Sequence, residues 1–85
     1  MITRFTVDTG GIYEINEDSI RCIYKGDDRV NIGEAWKPFL DIQPPEVGGE
    51  VIIVWWVDEE NDLTKATVMP TVTKVELIAT DSRRN

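Results

Sequence analysis

The stretch Val51–Asp62, VIIVWWVDEEND, sets seven consecutive apolar residues, two of them tryptophans, against four carboxylates in the next five positions. A run this short, rich in β-branched and aromatic residues and closed by a polar loop, reads as a strand. On a strand successive side chains point to opposite faces. Val51, Ile53, Trp55 and Val57 therefore share one face, and Ile52, Val54 and Trp56 the other. Trp55 and Trp56 cannot both enter the same core layer. The expectation is that Trp55 faces the core and Trp56 faces outward. The following run, TKATVM (64–69), can return beside it with Trp55 opposite Ala66 and Ile53 opposite Val68. That register sets Trp56 beside Lys65, where an ammonium over the ring gives a modest cation–π contact. A slip of one residue exchanges the faces of the returning strand.

The neighbouring segments extend the same pattern. ITRFTV (2–7) is a β-prone run closed by the turn-forming Asp8, Thr9, Gly10 and Gly11. IYEINEDSIRCIY (12–24) folds on itself through the polar loop Asn16–Ser19. Closure there opposes Ile15 with Ile20, Glu14 with Arg21, Tyr13 with Cys22 and Ile12 with Ile23. One face then holds Tyr13, Ile15, Ile20 and Cys22, and the other a Glu14–Arg21 charge pair. Residues 25–35 read as a long polar loop, with room for a short helical turn before Trp36. WKPFLDI (36–42) reads as an edge or irregular strand, because Pro38 cannot donate to a ladder. QPPEVGGE (43–50) is a turn. Pro70 between TKATVM and TVTKVELIA (71–79) marks a bend or bulge at a sheet corner, and the second run puts Thr73, Val75 and Leu77 on one face.

No stretch keeps a 3.6-residue apolar period, and no internal repeat occurs. The fold class is therefore all-β. The expected form is a small antiparallel barrel, SH3-like or OB-like, or a small sandwich of five to six short strands. Eighty-five residues make one domain, 1–80, followed by a frayed tail at 81–85.

Charge narrows the function classes. Nine basic and sixteen acidic residues give −7. The imbalance concentrates at 31–64, where Lys37 alone faces eight carboxylates. Such a surface repels phosphate backbones and anionic lipid, so neither direct nucleic-acid nor membrane binding is expected. A single cysteine, Cys22, allows no internal disulfide and reads as a small buried hydrophobe. The N-terminus carries no apolar targeting core and no run is long enough to span a bilayer, so a cytoplasmic protein, complete as it stands, is expected.

An enzyme is not expected. The chain has no histidine, the commonest general base and metal ligand. Ser19 falls in a hairpin loop and Ser82 in the tail, and a barrel of this size leaves little room for a substrate cleft. Asp58, Glu60 and Asp62 alternate like the opening ligands of a calcium loop. However, Leu63 stands where the sharp-turn glycine is needed and no glutamate follows at the twelfth position. Neither a metal nor another cofactor is expected.

The remaining candidate is a partner-binding surface. Trp56, Ile52 and Met69 would form an apolar patch rimmed by Asp58, Glu59, Glu60 and Asp62. The acidic rim would select a partner protein with a basic surface and speed its approach. The other reading, and the favoured one from sequence alone, buries Trp56 under Trp36, Phe39 or the 25–35 loop as a second core.

IYEINEDSIRCI, WKPF, PEVGGEVIIVWWV and TVTKVELI together resemble short uncharacterised proteins of actinobacteria and their phages. These share a Tyr-Glu hairpin, a Trp-centred segment, a Gly-Glu turn into an apolar strand and a Thr/Val-rich end. The match spans most of the chain, which departs from the group in its second tryptophan and its DEEND loop. The resemblance implies a small β-domain and carries no activity. It adds the expectation of a phage-related accessory protein acting in the host cytoplasm on a host or phage protein. A homo-oligomeric virion or assembly component, and an acidic nucleic-acid mimic that inhibits a DNA-binding protein, are the alternatives.

Overall fold

β-branched and aromatic residues alternate with polar ones through most of the chain, and the chain answers with strands throughout. The computed structural model describes residues 1–78. Seven strands form: β1 Ile2–Val7, β2 Ile12–Asn16, β3 Ser19–Tyr24, β4 Lys37–Pro38, β5 Asp41–Ile42, β6 Glu50–Asp58 and β7 Leu63–Ile78. All pairings are antiparallel, in the order β4-β3-β2-β1-β7-β6-β5. The fold is all-β, a small sheet curled into a half-barrel around one core. The helical turn expected before Trp36 is absent. The tail reading at 81–85 lies outside the described residues.

Two features curl the sheet. The first is β7, whose sixteen residues serve two partners: β6 up to Thr71 and β1 from Val72 onward. Between Ile52↔Val68 and Glu50↔Thr71 the strand carries one extra residue, at Met69–Pro70. Proline has no N–H to donate, so a bulge is where a strand tolerates it, and a bulge also bends the strand. The corner expected at Pro70 is therefore present. A second irregularity separates Thr6↔Lys74 from Val7↔Val72 and leaves Thr73 as the extra residue. That bulge overturns the simple alternation. Val72 is buried and Val75 packs on the core, three positions apart, while Thr73 and Leu77 are exposed.

The second feature is the segment 37–42. Lys37 and Pro38 pair with Ile20 and Ser19 of β3, whereas Asp41 and Ile42 pair with Val54 and Ile53 of β6. Only Phe39 and Leu40 lie between, donating backbone hydrogen bonds to Asp18 O (2.9 Å) and Val54 O (2.8 Å) respectively. One short run thus ties the two ends of the sheet together. The single edge strand expected here is two short strands on opposite edges, which raises the count to seven.

The core comprises Phe5, Val7, Tyr13, Ile20, Cys22, Ile32, Val51, Ile53, Trp55, Met69 and Val72. Phe5 and Tyr13 stack at 5.4 Å between ring centroids. The hairpin β2–β3 pairs Ile15↔Ile20, Glu14↔Arg21 and Tyr13↔Cys22, the register read from the sequence. Two details differ: Asn16 and Ser19 are themselves paired, and an irregularity sets Ile12 opposite Tyr24 rather than Ile23. Tyr13 donates from its hydroxyl to the Asp28 carboxylate, which is 4% exposed and also accepts from Val30 N. Burial, and then that carboxylate, hold the Tyr13 phenol well above its ordinary range. A side chain at Gly11 would meet this pair, since its Cβ would fall 3.0 Å from Asp28 Oδ2 and 3.1 Å from the Tyr13 hydroxyl.

On the opposite face, Arg4, Glu14 and Arg21 are direct cross-strand neighbours. Arg4 Nη2 and Arg21 Nη2 donate to the two Glu14 oxygens at 2.7 and 2.8 Å, and each guanidinium adds a second bond through Nε. Arg4 is also opposite Glu76 of β7, so charge alternates across four strands. Burial of Glu14 works to raise its pKa, but the hydrogen bonds and charges of Arg21 and Arg4 outweigh it and hold the carboxyl below the usual glutamate range. A depressed folded-state value contributes stability above the unfolded value and loses it as pH falls through the folded one. Urea unfolding of wild type against Glu14→Gln should therefore show a stability difference near neutral pH. That difference should shrink as the pH is lowered through and below the ordinary glutamate range.

Candidate functional site

The two tryptophans take opposite faces, as the period of two requires. Trp55 is 7% exposed and belongs to the core, whereas Trp56 is 42% exposed on the opposite face of β6. Trp55 Nε1 donates to the Thr67 hydroxyl at 2.8 Å, which satisfies the indole where it is buried. The second core expected over Trp56 does not form among the described residues: Trp56 stays exposed, and from the 25–35 loop Ile32 packs instead into the main core.

The strand returning beside β6 differs by one residue from the expected register. Next to the loop, Asp58↔Leu63 keeps the alignment read from the sequence. Between Trp56 and Asp58, however, β6 carries one extra residue, Val57. Beyond that bulge the pairs are Trp56↔Thr64, Trp55↔Lys65, Val54↔Ala66 and Ile53↔Thr67. The slip exchanges the faces of β7. Met69 turns inward and is 1% exposed, so it does not belong to the exposed patch. Val68 takes the outer position, 53% exposed and opposite Ile52. Lys65 is opposite Trp55 rather than Trp56, and the expected Lys65–Trp56 cation–π contact is replaced by Lys37 Nζ over Trp55, 5.2 Å from the ring centroid.

The outer face of β6–β7 thus carries Trp56, Val54 and Ile52 against Thr64, Ala66 and Val68. Ile52 and Val54 are half-buried, and Trp56, Ala66 and Val68 are exposed. Beside Trp56 runs the loop 59–62. Asp58 shapes it: Oδ1 accepts from Glu60 N at 3.1 Å and Oδ2 from Asn61 Nδ2 at 2.7 Å. Asp62 takes a left-handed φ of 53° to close the turn. Glu59, Glu60 and Asp62 are exposed, while Asp58 is half-buried. Of the seven side chains read as a partner surface, Trp56, Asp58, Glu59, Glu60 and Asp62 gather at the loop end of the β6–β7 hairpin; Ile52 shares the face of Trp56 but lies toward the other end of β6, and Met69 is buried. No group of three acidic or sulfur ligands suited to a metal ion occurs among the described residues.

One site was not foreseen. The expectation of little room for a cleft is overturned by an open groove of about 670 Å³ between β6–β7, the 30–32 loop and the 37–40 segment. Trp55 lies in its floor, Val30, Ile32, Phe39 and Leu40 supply apolar walls, and Lys37, Lys65, Asn31 and Thr67 supply polar groups. Trp56, Val57 and Glu59 form the lip at the loop end. The sequence held one signal of it, the isolation of Lys37 as the sole cation between residues 31 and 64. Cys22 is buried nearby; burial, followed by the Asp28 and Glu34 carboxylates, pushes its thiol pKa up, which makes it a poor nucleophile.

Compared with known proteins, the chain matches no family model, no curated protein and no solved structure. Among the described residues no helix is long and apolar enough to cross a membrane.

Proposed function

We propose that this chain is a non-enzymatic protein–protein interaction module, a phage-related accessory protein that docks on a basic host or phage protein. The observation that carries the reading is Trp56: a tryptophan 42% exposed on the face opposite the core, continuous with Ile52, Val54 and Val68. Aromatic anchors surrounded by apolar contacts and a charged rim are the anatomy of binding hot spots. Glu59, Glu60 and Asp62 supply the rim, and Asp58 holds their loop in shape. In that role the carboxylates steer a basic partner, so salt slows association more than it speeds release.

The test is capture of a partner from bacterial lysate by the tagged chain. Trp56→Ala, and separately Glu59→Gln/Glu60→Gln/Asp62→Asn, serve as comparisons, with folding checked by circular dichroism. Loss of a defined basic partner by both folded variants supports the reading. Retention of that partner by both removes this surface. A stable closed oligomer in light scattering, broken by Trp56→Ala, would point instead to an assembly component.

A further inference from the structure

The groove and the outer patch differ in chemistry. The outer patch is apolar with acidic residues beside it, whereas the groove has an aromatic residue with one ammonium group over it and a second lysine on the neighbouring strand. Lys37 Nζ lies 5.2 Å from the Trp55 ring centroid, and Lys65 is the direct cross-strand neighbour of Trp55. Arg4, Arg21 and Lys74 are engaged in ion pairs; Lys37 and Lys65 make none among the described residues. In a chain of net charge −7, two uncompensated ammonium groups at one aromatic floor form a local reversal of sign. Among the described residues that line the groove, the one carboxylate is Glu59, on the loop beyond β6.

We infer that this groove binds a small planar organic anion: an aromatic or fused-ring body bearing a carboxylate, sulfonate or phosphate group. Each part of the ligand has a counterpart. The ring lies along the apolar wall of Val30, Phe39 and Leu40, beside the Lys37 ammonium that covers the Trp55 indole. The acidic group meets Lys37 and Lys65. The Thr67 hydroxyl accepts from Trp55 Nε1, so its own proton remains free to donate to the ligand. The volume, about 670 Å³, falls within the range of small-molecule sites. A long polyanion is excluded by the field of the acidic chain, whereas a compact anion senses mainly the two nearby ammonium groups, because salt screens charges beyond roughly 8 Å. The inference does not rest on the protein-binding role, and its test involves no partner protein.

The test uses 8-anilinonaphthalene-1-sulfonate as the probe and its neutral relative N-phenyl-1-naphthylamine as the control for apolar binding alone. Both are titrated into the native chain by fluorescence, with near-UV circular dichroism confirming that the fold persists. The expected result is saturable 1:1 binding of the sulfonate, with a dissociation constant on the order of tens of micromolar for a ligand of this size. Lys37→Gln/Lys65→Gln should weaken the sulfonate roughly tenfold, as two partly solvated charge pairs predict, and leave the neutral probe within about twofold. Lys25→Gln/Lys74→Gln changes net charge equally but lies outside the groove, and should bind the sulfonate as wild type does. The inference is overturned if the groove variant binds the sulfonate like wild type. Equal weakening by the two double variants, or a sulfonate affinity no greater than that of the neutral probe, would overturn it as well.

Discussion

Trp55→Ala should destabilise the fold by about 3–4 kcal/mol, whereas Trp56→Ala should cost about 1–2 kcal/mol. The two residues are adjacent and chemically identical, so the difference isolates their environment. Trp55 packs with Val51 and Ile53 in the core and donates to Thr67 at 2.8 Å. Truncation there removes a large apolar surface and leaves a void between β6, β7 and the 37–42 segment. Trp56 loses less, because 42% of its surface already meets solvent. Domains of this size are only marginally stable, so Trp55→Ala should bring the chain close to unfolding at room temperature. Urea titration followed by far-UV circular dichroism measures both variants. Equal losses would mean that both tryptophans are core and that the outer patch does not exist.

Tyr13→Phe removes one oxygen and should nonetheless cost about 1–3 kcal/mol. The phenol is fully buried, and its hydroxyl is, among the described residues, the one side-chain donor to Asp28, itself 4% exposed. Without it, the carboxylate keeps only the Val30 amide at 3.3 Å among the described residues. A lone buried acceptor bears its desolvation penalty uncompensated. The loss corresponds to a fall in melting temperature of several degrees or more for a domain this small. Tyr24→Phe is the matched control, since Tyr24 is 60% exposed and should change stability by less than about 0.5 kcal/mol. In the double variant Tyr13→Phe/Asp28→Ala the two losses should not add, because each removes the same bond. Strict additivity would show that the Tyr13–Asp28 contact carries no coupling.

What could be read from the sequence, and what could not, divides along local and long-range lines. The β2–β3 hairpin was legible because Glu14 and Arg21 oppose each other and Tyr13, Ile20 and Cys22 alternate with polar residues around a polar loop. The faces of Trp55 and Trp56 followed from the same period of two, and Pro70 announced its corner through its missing donor. Val57 announced nothing. A bulge there needs no glycine and no left-handed backbone, so no residue type marks it, yet it turns Met69 inward and Val68 outward. The Thr73 bulge misled in the same way.

The groove was hidden for a different reason. It exists because residues 37–42 pair with β3 at one end and β6 at the other, which brings Lys37 over Trp55. Pro38 marked that segment as an edge, but nothing local says that it serves two edges. Lys65 entered the site only through the register slip. The clustering of Trp56 with Asp58, Glu59, Glu60 and Asp62 was legible, because the end of the hydrophobic strand and its acidic loop are contiguous in sequence, whereas the burial of Met69 was not.

The central claim is that adjacent tryptophans face opposite environments, one in the core and one displayed. The most direct measurement is ¹⁹F NMR of the intact chain carrying 5-fluorotryptophan, comparing resonances in H₂O and D₂O, with assignments from single Trp→Phe variants. Solvent-exposed fluorine shifts on exchange of the solvent and buried fluorine does not. The account predicts a large isotope shift for Trp56 and almost none for Trp55. A Trp56 resonance as insensitive to D₂O as that of Trp55 would contradict it.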